Sequence, residues 1–374
     1  MFHLNEWTVG VRFFRAITAL ALAGGLGGAL LVGCGSASSA PPAPGTHASP
    51  ATGTHVVTDS TGASVTVPDT ATRVADAWPA HNEIVQMLGA GDKIVATVLT
   101  PSFTPWLYVV DPALAKAQTV FTTNNTVNLE ALAHLRPDVV FAADPAPFAA
   151  QTTAAGFPTL QLVFQTFADL KKVVATTADV LGPAAQAQAQ RYDTYLDNTL
   201  ATLTAQTSKI PMDQRPSVLH IQSLQPLIVD GTNSIVDAWI TAAGGRDAAQ
   251  VSGNLRPATI EQILAWNPDV IILGSTTGGA GTQALATLAK DPVWSQVAAV
   301  RNHRVYANPT GAFVWDRYGI EEALQIQWAA KTLHPELFPN LDLVATTKDF
   351  YSRFLHYQLT NDQAKRILAG QNPS

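Results

Sequence analysis

Short apolar runs alternate with helix-like stretches along most of the chain, and this alternation predicts parallel strands joined by crossover helices. Strands are predicted at 74–78, 93–97, 159–163, 217–221, 269–273 and 304–307. Helices are predicted at 82–88, 235–243, 319–332, 347–357 and 362–368. Hairpins are predicted at 55–67, where apolar and polar residues alternate, and around 227–231. The pattern is typical of an α/β protein.

One unit of this pattern occurs twice. Residues 127–142 (VNLEALAHLRPDVVFA) recur 131 positions later as residues 258–273 (ATIEQILAWNPDVIIL). Both copies contain a polar cap, an apolar residue, Glu, a short amphipathic helix, Pro-Asp and an apolar run. A period this long does not indicate a solenoid; it predicts two similar α/β lobes with a ligand cleft between them.

A single long helix is predicted between the two halves. Residues 184–208 contain neither Gly nor Pro, and Gly182-Pro183 precede them. One helical stripe is apolar throughout; it consists of Ala185, Ala189, Tyr192, Leu196, Leu200 and Leu203. Such a helix would be roughly 37 Å long, enough to run along two small lobes.

The first residues have the features of an export signal. Arg12 and Arg15 precede an uncharged apolar run at 16–32, which leads into Leu-Val-Gly-Cys ending at Cys34. This order is typical of a secretory signal peptide, and the last four residues look like a lipobox, in which the cysteine becomes the lipidated N-terminus. A retained membrane anchor, the alternative, needs about twenty apolar residues. We expect a signal peptide at 1–33 and a flexible tether at 34–54, a stretch made almost wholly of small residues and proline.

Composition narrows the function further. The formal net charge is −6, and it becomes −7 without the leader, in which Glu6 offsets only one of two arginines. A mildly acidic chain without basic clusters argues against nucleic acid as a partner. Cys34 is the only cysteine, so disulfides and thiol chemistry have no part in the body of the protein. From residue 55 onward the chain is long enough for two domains.

Several motifs make a family resemblance specific. They are both repeat copies and the segments LGAGDKIV (88–95), DPVW (291–294), AVRNHRVY (299–306), WAAK (328–331) and HPELF (334–338). The layout resembles the substrate-binding lipoproteins of ABC importers for iron–siderophore complexes, haem, cobalamin or related cargo, the Fe/B12 periplasmic-binding family. The resemblance covers roughly residues 70–370.

This resemblance implies a fold, partners and a location. The expected fold is two Rossmann-like α/β lobes joined by one long helix, as in class III periplasmic binding proteins. We expect lobes at 55–165 and 211–374, with a helical connector at 166–210. The protein would be a monomer, exported and lipid-anchored outside the cytoplasmic membrane. It would deliver a small-molecule metal complex to an ABC permease dimer, with no cofactor of its own and little motion between the lobes.

Glu130 and Glu261 occupy equivalent places in the two repeat copies. If Asn128 and Thr259 cap their helices, each Glu lies in the first helical turn, off the apolar stripe. A carboxylate there interacts favourably with the positive end of the helix dipole, which stabilises the helix by about 0.3–1 kcal/mol. This effect alone is sufficient to explain a Glu at each position. The family resemblance implies a second explanation, in which each Glu docks onto arginines of the permease.

Candidate cleft residues follow the carboxyl ends of predicted parallel strands, where ligands bind in open α/β sheets. They are Trp78, His81, Asn82, Trp106, Tyr108, Asn124, Asn125, Trp315, Arg317 and Tyr318.

Each candidate also has a simpler explanation. His81 could bind a metal or an anion, or only make hydrogen bonds at a helix start, and Asn82 could be a helix cap. Trp106 and Tyr108 are placed in a loop, where aromatic side chains cover a flat ligand or merely pack on the surface. Arg317 could bind an anionic group, or pair with Asp316 to brace its loop. A single arginine among the candidates makes a highly anionic chelate an unfavourable cargo.

Other functions stay open at this point. An oxyanion such as molybdate is an alternative cargo. An exported metal-dependent enzyme would use His81 with acids such as Glu83, and a receptor subunit would dock to a different membrane partner. Without a nucleophile elbow, a thiol or clustered metal ligands, the sequence predicts no catalytic residues and no enzyme. The glycine-rich stretch 274–281 lacks the Lys-Ser/Thr of a phosphate loop and is predicted to be a flexible connection.

Overall fold

A computed structural model describes residues 53–274 and 285–374 of the chain. The predicted signal peptide, Cys34 and most of the tether lie outside the described residues, as do residues 275–281 of the glycine-rich stretch. Within the described ranges, no helix has both the length and the apolar character needed to cross a membrane.

The first sheet is entirely parallel, in the order β5-β4-β3-β6-β7. Its strands are β3 (Val74–Asp76), β4 (Ile94–Thr97), β5 (Gln118–Thr119), β6 (Val139–Ala143) and β7 (Thr159–Leu162). Its helices are α1 (His81–Met87), α2 (Pro105–Val110), α3 (Leu129–Leu135), α4 (Ala149–Ala154) and α5 (Phe167–Leu181). The predicted hairpin precedes it as antiparallel β1 (Thr54–Thr58) and β2 (Ser64–Pro68).

The second sheet is mixed, in the order β11-β9-β8-β12-β13, with the short β10 paired to β8. Its strands are β8 (Ser217–Leu224), β9 (Leu227–Asp230), β10 (Arg246–Asp247), β11 (Arg256–Pro257), β12 (Val270–Leu273) and β13 (Val305–Ala307). β9 runs antiparallel to β8, whereas β10 and β12 run parallel to β8. The later helices are α7 (Ile235–Ala242), α8 (Ile260–Trp266), α9 (Ala298–Arg301), α10 (Glu322–Leu333), α11 (Leu343–Phe354) and α12 (Asn361–Leu368).

One unbroken helix, α6 (Pro183–Thr207), connects the two sheets, as predicted. Gly182 starts it with φ +99°, and a side chain there would meet the Thr70 hydroxyl at 2.6 Å, so glycine is required. Pro183 occupies the first helical position, where a missing N–H costs nothing. Tyr192 is fully buried and donates a hydrogen bond to the Ile320 carbonyl at 2.9 Å. The predicted fold class, two α/β lobes joined by a long helix, is confirmed; the predicted lobe limits stay a prediction.

The two repeat copies form the same unit, one in each sheet. Asn128 and Thr259 cap α3 and α8 as predicted, and both helices end in a left-handed residue before Pro-Asp. Asp138 accepts hydrogen bonds from the Thr72 backbone N–H at 2.7 Å, and Asp269 accepts from the Ser217 N–H at 2.8 Å. In each lobe, therefore, the repeated aspartate fixes the start of one strand beside another.

Candidate functional site

The two lobes meet at a group of three aromatic rings, which we call the aromatic cluster: Trp78, Phe164 and Tyr318. Trp78 and Phe164 follow strands β3 and β7 of the first sheet, and Tyr318 precedes α10. The Tyr318 ring centroid lies 5.8 Å from that of Trp78 and 5.4 Å from that of Phe164, both in edge-on geometry. Tyr318 adopts φ +65°, a left-handed conformation, and its hydroxyl accepts a hydrogen bond from the Asn254 amide. A strained backbone held this way at a lobe junction is typical of functional sites.

A buried polar cluster stands behind Tyr318. It consists of His220, Asp230, Asp316 and Arg317. The two ring nitrogens of His220 lie 2.8 Å from carboxylate oxygens of Asp230 and Asp316. Arg317 donates from Nη2 to Asp230 at 2.6 Å. All four side chains are buried, so the pairing is required to offset the loss of solvation.

Electrostatics in this cluster follow from burial and pairing. Burial alone would lower the pKa of His220, but the hydrogen-bonded carboxylates of Asp230 and Asp316 outweigh it and raise the pKa. Burial works in the opposite sense on Asp230, yet Arg317 and then His220 hold the pKa of that carboxyl below its usual range. With His220 protonated, two positive and two negative groups cancel. The charge of Arg317 is therefore already compensated inside the protein.

A second buried contact joins the lobes through carboxyl groups. Glu83 of α1 accepts a hydrogen bond from the Ile320 N–H at 3.0 Å. Glu321 accepts from the Phe313 N–H at 2.8 Å, from Trp315 Nε1 at 2.7 Å and from the Tyr351 hydroxyl at 2.6 Å. Burial raises the pKa of both carboxyls, that of Glu321 to about 7, and the neighbouring Glu321 raises that of Glu83 further. The hydrogen bond between Glu83 and Ile320 therefore links one lobe to the other.

His81 and Asn82 both make hydrogen bonds inside the protein, and the predicted cap role of Asn82 is wrong. His81 is fully buried, and its two ring nitrogens lie 2.8 Å from Asp76 and 2.7 Å from the Thr177 hydroxyl. Both nitrogens have partners within the protein, so His81 could contact a ligand or a metal only if one of these bonds were broken. Its ligand and metal roles stay predictions. Asn82 lies inside α1 rather than at its cap, donates to the Trp78 carbonyl and accepts from Thr97. Both side chains shape the loop that carries Trp78. The described residues hold no group of three or more His, Cys, Asp or Glu side chains suited to a metal ion.

The placement of Trp106 and Tyr108 in a loop is also wrong. Both lie on α2, which begins at Pro105. Trp106 is fully buried and donates to the Gln371 carbonyl at 2.8 Å, so it holds the C-terminal residues, and its ligand contact stays a prediction. Tyr108 is half-buried, and its hydroxyl donates to the Leu99 carbonyl at 3.1 Å.

The remaining candidates differ in position. Asn124 and Asn125 are exposed in a tight turn, where Asn125 adopts φ +58°. Trp315 is buried and donates to Glu321, and its ligand contact stays a prediction. Arg317 is also buried and pairs with Asp230, so its main partner is not the neighbouring Asp316. Of the predicted cleft residues, the structure brings Trp78 and Tyr318 together.

Glu130 and Glu261 are exposed in the first turns of α3 and α8. Within the described part of the chain, neither forms a salt bridge. The Glu261 backbone N–H and the Thr259 hydroxyl lower the pKa of Glu261. Both carboxylates are thus free to meet a partner.

Sequence reasoning missed several residues of the site. Phe164 directly follows a predicted strand, so the rule that identified Trp78 would also have identified it. His220 is a polar residue within an apolar strand, which is a signal of a buried polar contact. Asn254 gave no local signal, because its role depends on Tyr318, which is 64 residues away.

A groove of about 1120 Å³ lies apart from these residues, between α6 and the segments around Phe338 and Phe354. It shares no residue with the aromatic cluster or the polar cluster. Its size alone does not make it the ligand site, because no strand end opens into it.

Comparison with known proteins gives consistent matches. A family model described as Periplasmic binding protein matches residues 74–310. The molybdate-binding protein MolA of Haemophilus influenzae is 24% identical over 343 residues, 83% of this chain and 93% of that protein. YvrC of Bacillus subtilis, an uncharacterized ABC transporter substrate-binding lipoprotein, is 25% identical over 67% of this chain and 76% of its own. A periplasmic solute binding protein from Veillonella parvula DSM 2008 is 28% identical with a TM-score of 0.72, covering 85% of this chain and 97% of that chain.

Proposed function

The chain belongs to the periplasmic binding protein family of ABC transporters, and we propose that its cargo is a weakly charged metal complex of the siderophore, haem or corrinoid type. The complex would be captured between the lobes and delivered to the permease. The observation that carries this proposal is the aromatic cluster, to which both lobes contribute.

Aromatic rings bind large ligands by burying apolar contact area and by stacking on the ligand with their faces. Trp78 and Phe164 of one lobe are buried, and both rings pack against Tyr318 of the other lobe. A ligand that displaced the Tyr318 ring would therefore contact side chains of both lobes at once. Flat or ring-shaped organic ligands offer the apolar faces that such side chains cover. Arg317 has its charge compensated by Asp230, which argues for a cargo of low net charge.

A tetrahedral oxyanion such as molybdate is the second candidate, because the relative MolA is named for binding it. A small oxyanion would need hydrogen-bond donors instead of apolar area. Asn254 and Tyr318 carry such donors at the lobe junction. The two candidates therefore differ in whether aromatic area or polar donors determine the affinity.

Native mass spectrometry of the purified protein, followed by tryptophan-fluorescence titration, tests the proposal. Haem, a ferric siderophore, cobalamin and molybdate would be added separately. We expect a one-to-one complex with one of the metal complexes, and about tenfold weaker binding for Trp78→Leu or Tyr318→Leu, since each loses aromatic contact area. Trp266→Leu, on α8, is the matched control.

The outcomes separate the candidates. Binding of molybdate alone, weakened by Asn254→Ala and not by Trp78→Leu, would establish the second candidate instead. Catalytic conversion of an added compound would contradict a binding protein altogether.

We also propose that Glu130 and Glu261 dock the protein onto the permease. Both are exposed and equivalent in the two lobes, and neither forms a salt bridge with any of residues 53–274 and 285–374. Charge reversal of both to Lys is expected to abolish cellular uptake of the identified ligand while leaving its affinity unchanged. Glu336→Lys, at another exposed carboxylate, is the control. A loss of affinity in the double variant would place these residues in the ligand site instead.

Anchoring through Cys34 completes the proposal. The relative YvrC is named a lipoprotein, and the sequence ending at Cys34 has the lipobox order. Cys34→Ser is expected to move the protein from the membrane fraction to the soluble extracytoplasmic fraction. Retention of this variant in the membrane fraction would contradict lipid anchoring at Cys34.

A further inference from the structure

Three arginines line an open pocket on the second lobe, at the opposite edge of the sheet from the cleft. The pocket has a volume of about 330 Å³ and is lined in part by Arg215, Arg246, Arg304, Asp213, Asp269 and His334; we call it the arginine pocket. Arg215 precedes β8, Arg246 begins β10, and Arg304 precedes β13. These are the amino ends of strands. Gln222, near the carboxyl end of β8, lies five residues beyond Ser217, the first residue of that strand, or roughly 16 Å away.

Backbone carbonyls hold each arginine in place. Arg215 donates to the carbonyls of Ile210 and Thr207 at 3.2 and 3.3 Å, near the end of α6. Arg246 donates from Nε to the Arg215 carbonyl at 3.2 Å. Arg304 donates to the Leu333 carbonyl at 3.4 Å, at the end of α10. Each guanidinium is thereby positioned through one or two of its several N–H groups, and the rest are left for a ligand.

The charge of the pocket is positive. Across residues 53–274 and 285–374, none of the three arginines forms a salt bridge. Asp269 faces them, but its Oδ2 already accepts hydrogen bonds from the Ser217 N–H and hydroxyl at 2.8 and 2.7 Å. Asp213 is the other carboxylate in the lining. Three guanidinium groups against two carboxylates leave a net positive charge in an otherwise acidic protein.

We propose that the arginine pocket binds a phosphate-type oxyanion, either free phosphate or the headgroup of an anionic lipid. Guanidinium groups match phosphate oxygens in pairs of parallel hydrogen bonds, and here three of them converge from separate segments. The volume exceeds that of one phosphate, and the opening to solvent admits a group attached to a larger molecule. The site is independent of the cargo, because it lies at the other edge of the sheet from the aromatic cluster.

Calorimetric titration of the purified full-length protein with inorganic phosphate tests the first source. Co-sedimentation with phosphatidylcholine vesicles, with and without phosphatidylglycerol, tests the second. The variant is Arg246→Gln combined with Arg304→Gln, and the control is Arg301→Gln, an exposed arginine outside the pocket. Any contribution of the leader to vesicle binding is the same in all three proteins, so their difference isolates the pocket.

We expect the double variant to weaken binding at least tenfold, or about 1.4 kcal/mol, and the control to leave it unchanged, since the variant removes two charged hydrogen-bond donors. Loss of phosphate binding identifies free phosphate as a ligand, and loss of phosphatidylglycerol-dependent sedimentation identifies the lipid headgroup. Arg246→Lys is expected to lose part of the affinity, because it keeps the charge without the paired geometry.

Failure to bind either probe would overturn the proposal, as would equal binding by wild type and double variant. Should the double variant fail to fold, Arg246→Gln alone decides, because this exposed side chain makes a single hydrogen bond through Nε. Weakened binding in Trp78→Leu, with Arg246→Gln unchanged, would assign the anion to the cleft. That result would overturn this proposal without affecting the proposed transport function.

Discussion

Replacing Glu83 by glutamine is expected to reduce the loss of stability as the pH rises. The Glu83 side chain is fully buried, one oxygen accepts from the Ile320 N–H, and the carboxyl also interacts with that of Glu321. Burial, and then the nearby Glu321, raise the pKa of Glu83 well above its ordinary value of 4.5. Glutamine keeps the acceptor and the shape but cannot ionise.

The size of the effect follows from proton linkage. In the unfolded chain this carboxyl loses its proton near pH 4.5, whereas in the folded protein it keeps the proton to higher pH. Between the two pKa values the folded state binds more protons, so the free energy of unfolding falls by up to about 1.4 kcal/mol per pH unit. This stabilisation is complete below the unfolded pKa and is lost as the pH rises through the folded pKa. Glu83→Gln removes that slope.

Urea unfolding followed by circular dichroism, at about pH 5, 6 and 7, measures the difference. Glu321, whose pKa burial raises to about 7, titrates in the same range and interacts with Glu83. The difference between wild type and variant therefore reports the titration of the pair. Glu130→Gln, at an exposed site, is the matched control and should follow wild type. Equal slopes for Glu83→Gln and wild type would show that Glu83 ionises normally, and the reasoning from burial would be wrong.

Three further changes test the fold by chemical denaturation. Asp269→Ala should cost about 1–3 kcal/mol, and Asp138→Ala less, because the partners of Asp138 are exposed; equal losses would contradict the role of burial. Thr259→Ala should cost about 1 kcal/mol by removing a helix cap, whereas Thr259→Ser should restore it; no recovery with Ser would exclude the cap. Tyr192→Phe should cost about 1–3 kcal/mol by leaving the buried Ile320 carbonyl without its donor, and an unchanged midpoint would show that another donor replaces it.

The features that the sequence predicted correctly are local or repeated. Both helix caps, both Pro-Asp turns and the 25-residue helix α6 follow from spacing within a few residues. The short helix α2 was missed although Pro105 stands at its first position, because six residues carry too little periodicity to outweigh a loop-like composition.

The site was harder to predict because its contacts join distant residues. His81 was proposed as a ligand residue, but its ring pairs with Thr177, 96 positions away, and nothing near His81 indicates this. Arg317 pairs with Asp230 across 87 positions. A polar residue at a strand end has the same local pattern whether it faces a ligand or a buried partner, so tertiary contacts decide between the two.

Both backbone polar groups of Ile320, its N–H and its carbonyl, are hydrogen-bonded to other parts of the protein. Its N–H is bonded to Glu83 of the first lobe and its carbonyl to Tyr192 of α6. If the lobes moved apart, the buried Glu83 carboxyl and the buried Tyr192 hydroxyl would both lose their hydrogen bonds to Ile320. The free-energy cost of leaving both groups unpaired opposes such a movement. Tyr318 is two residues away and takes part in neither bond, so a rotation of its side chain would leave both intact. We therefore expect cargo to enter by movement of the Tyr318 side chain while the two lobes keep their relative positions.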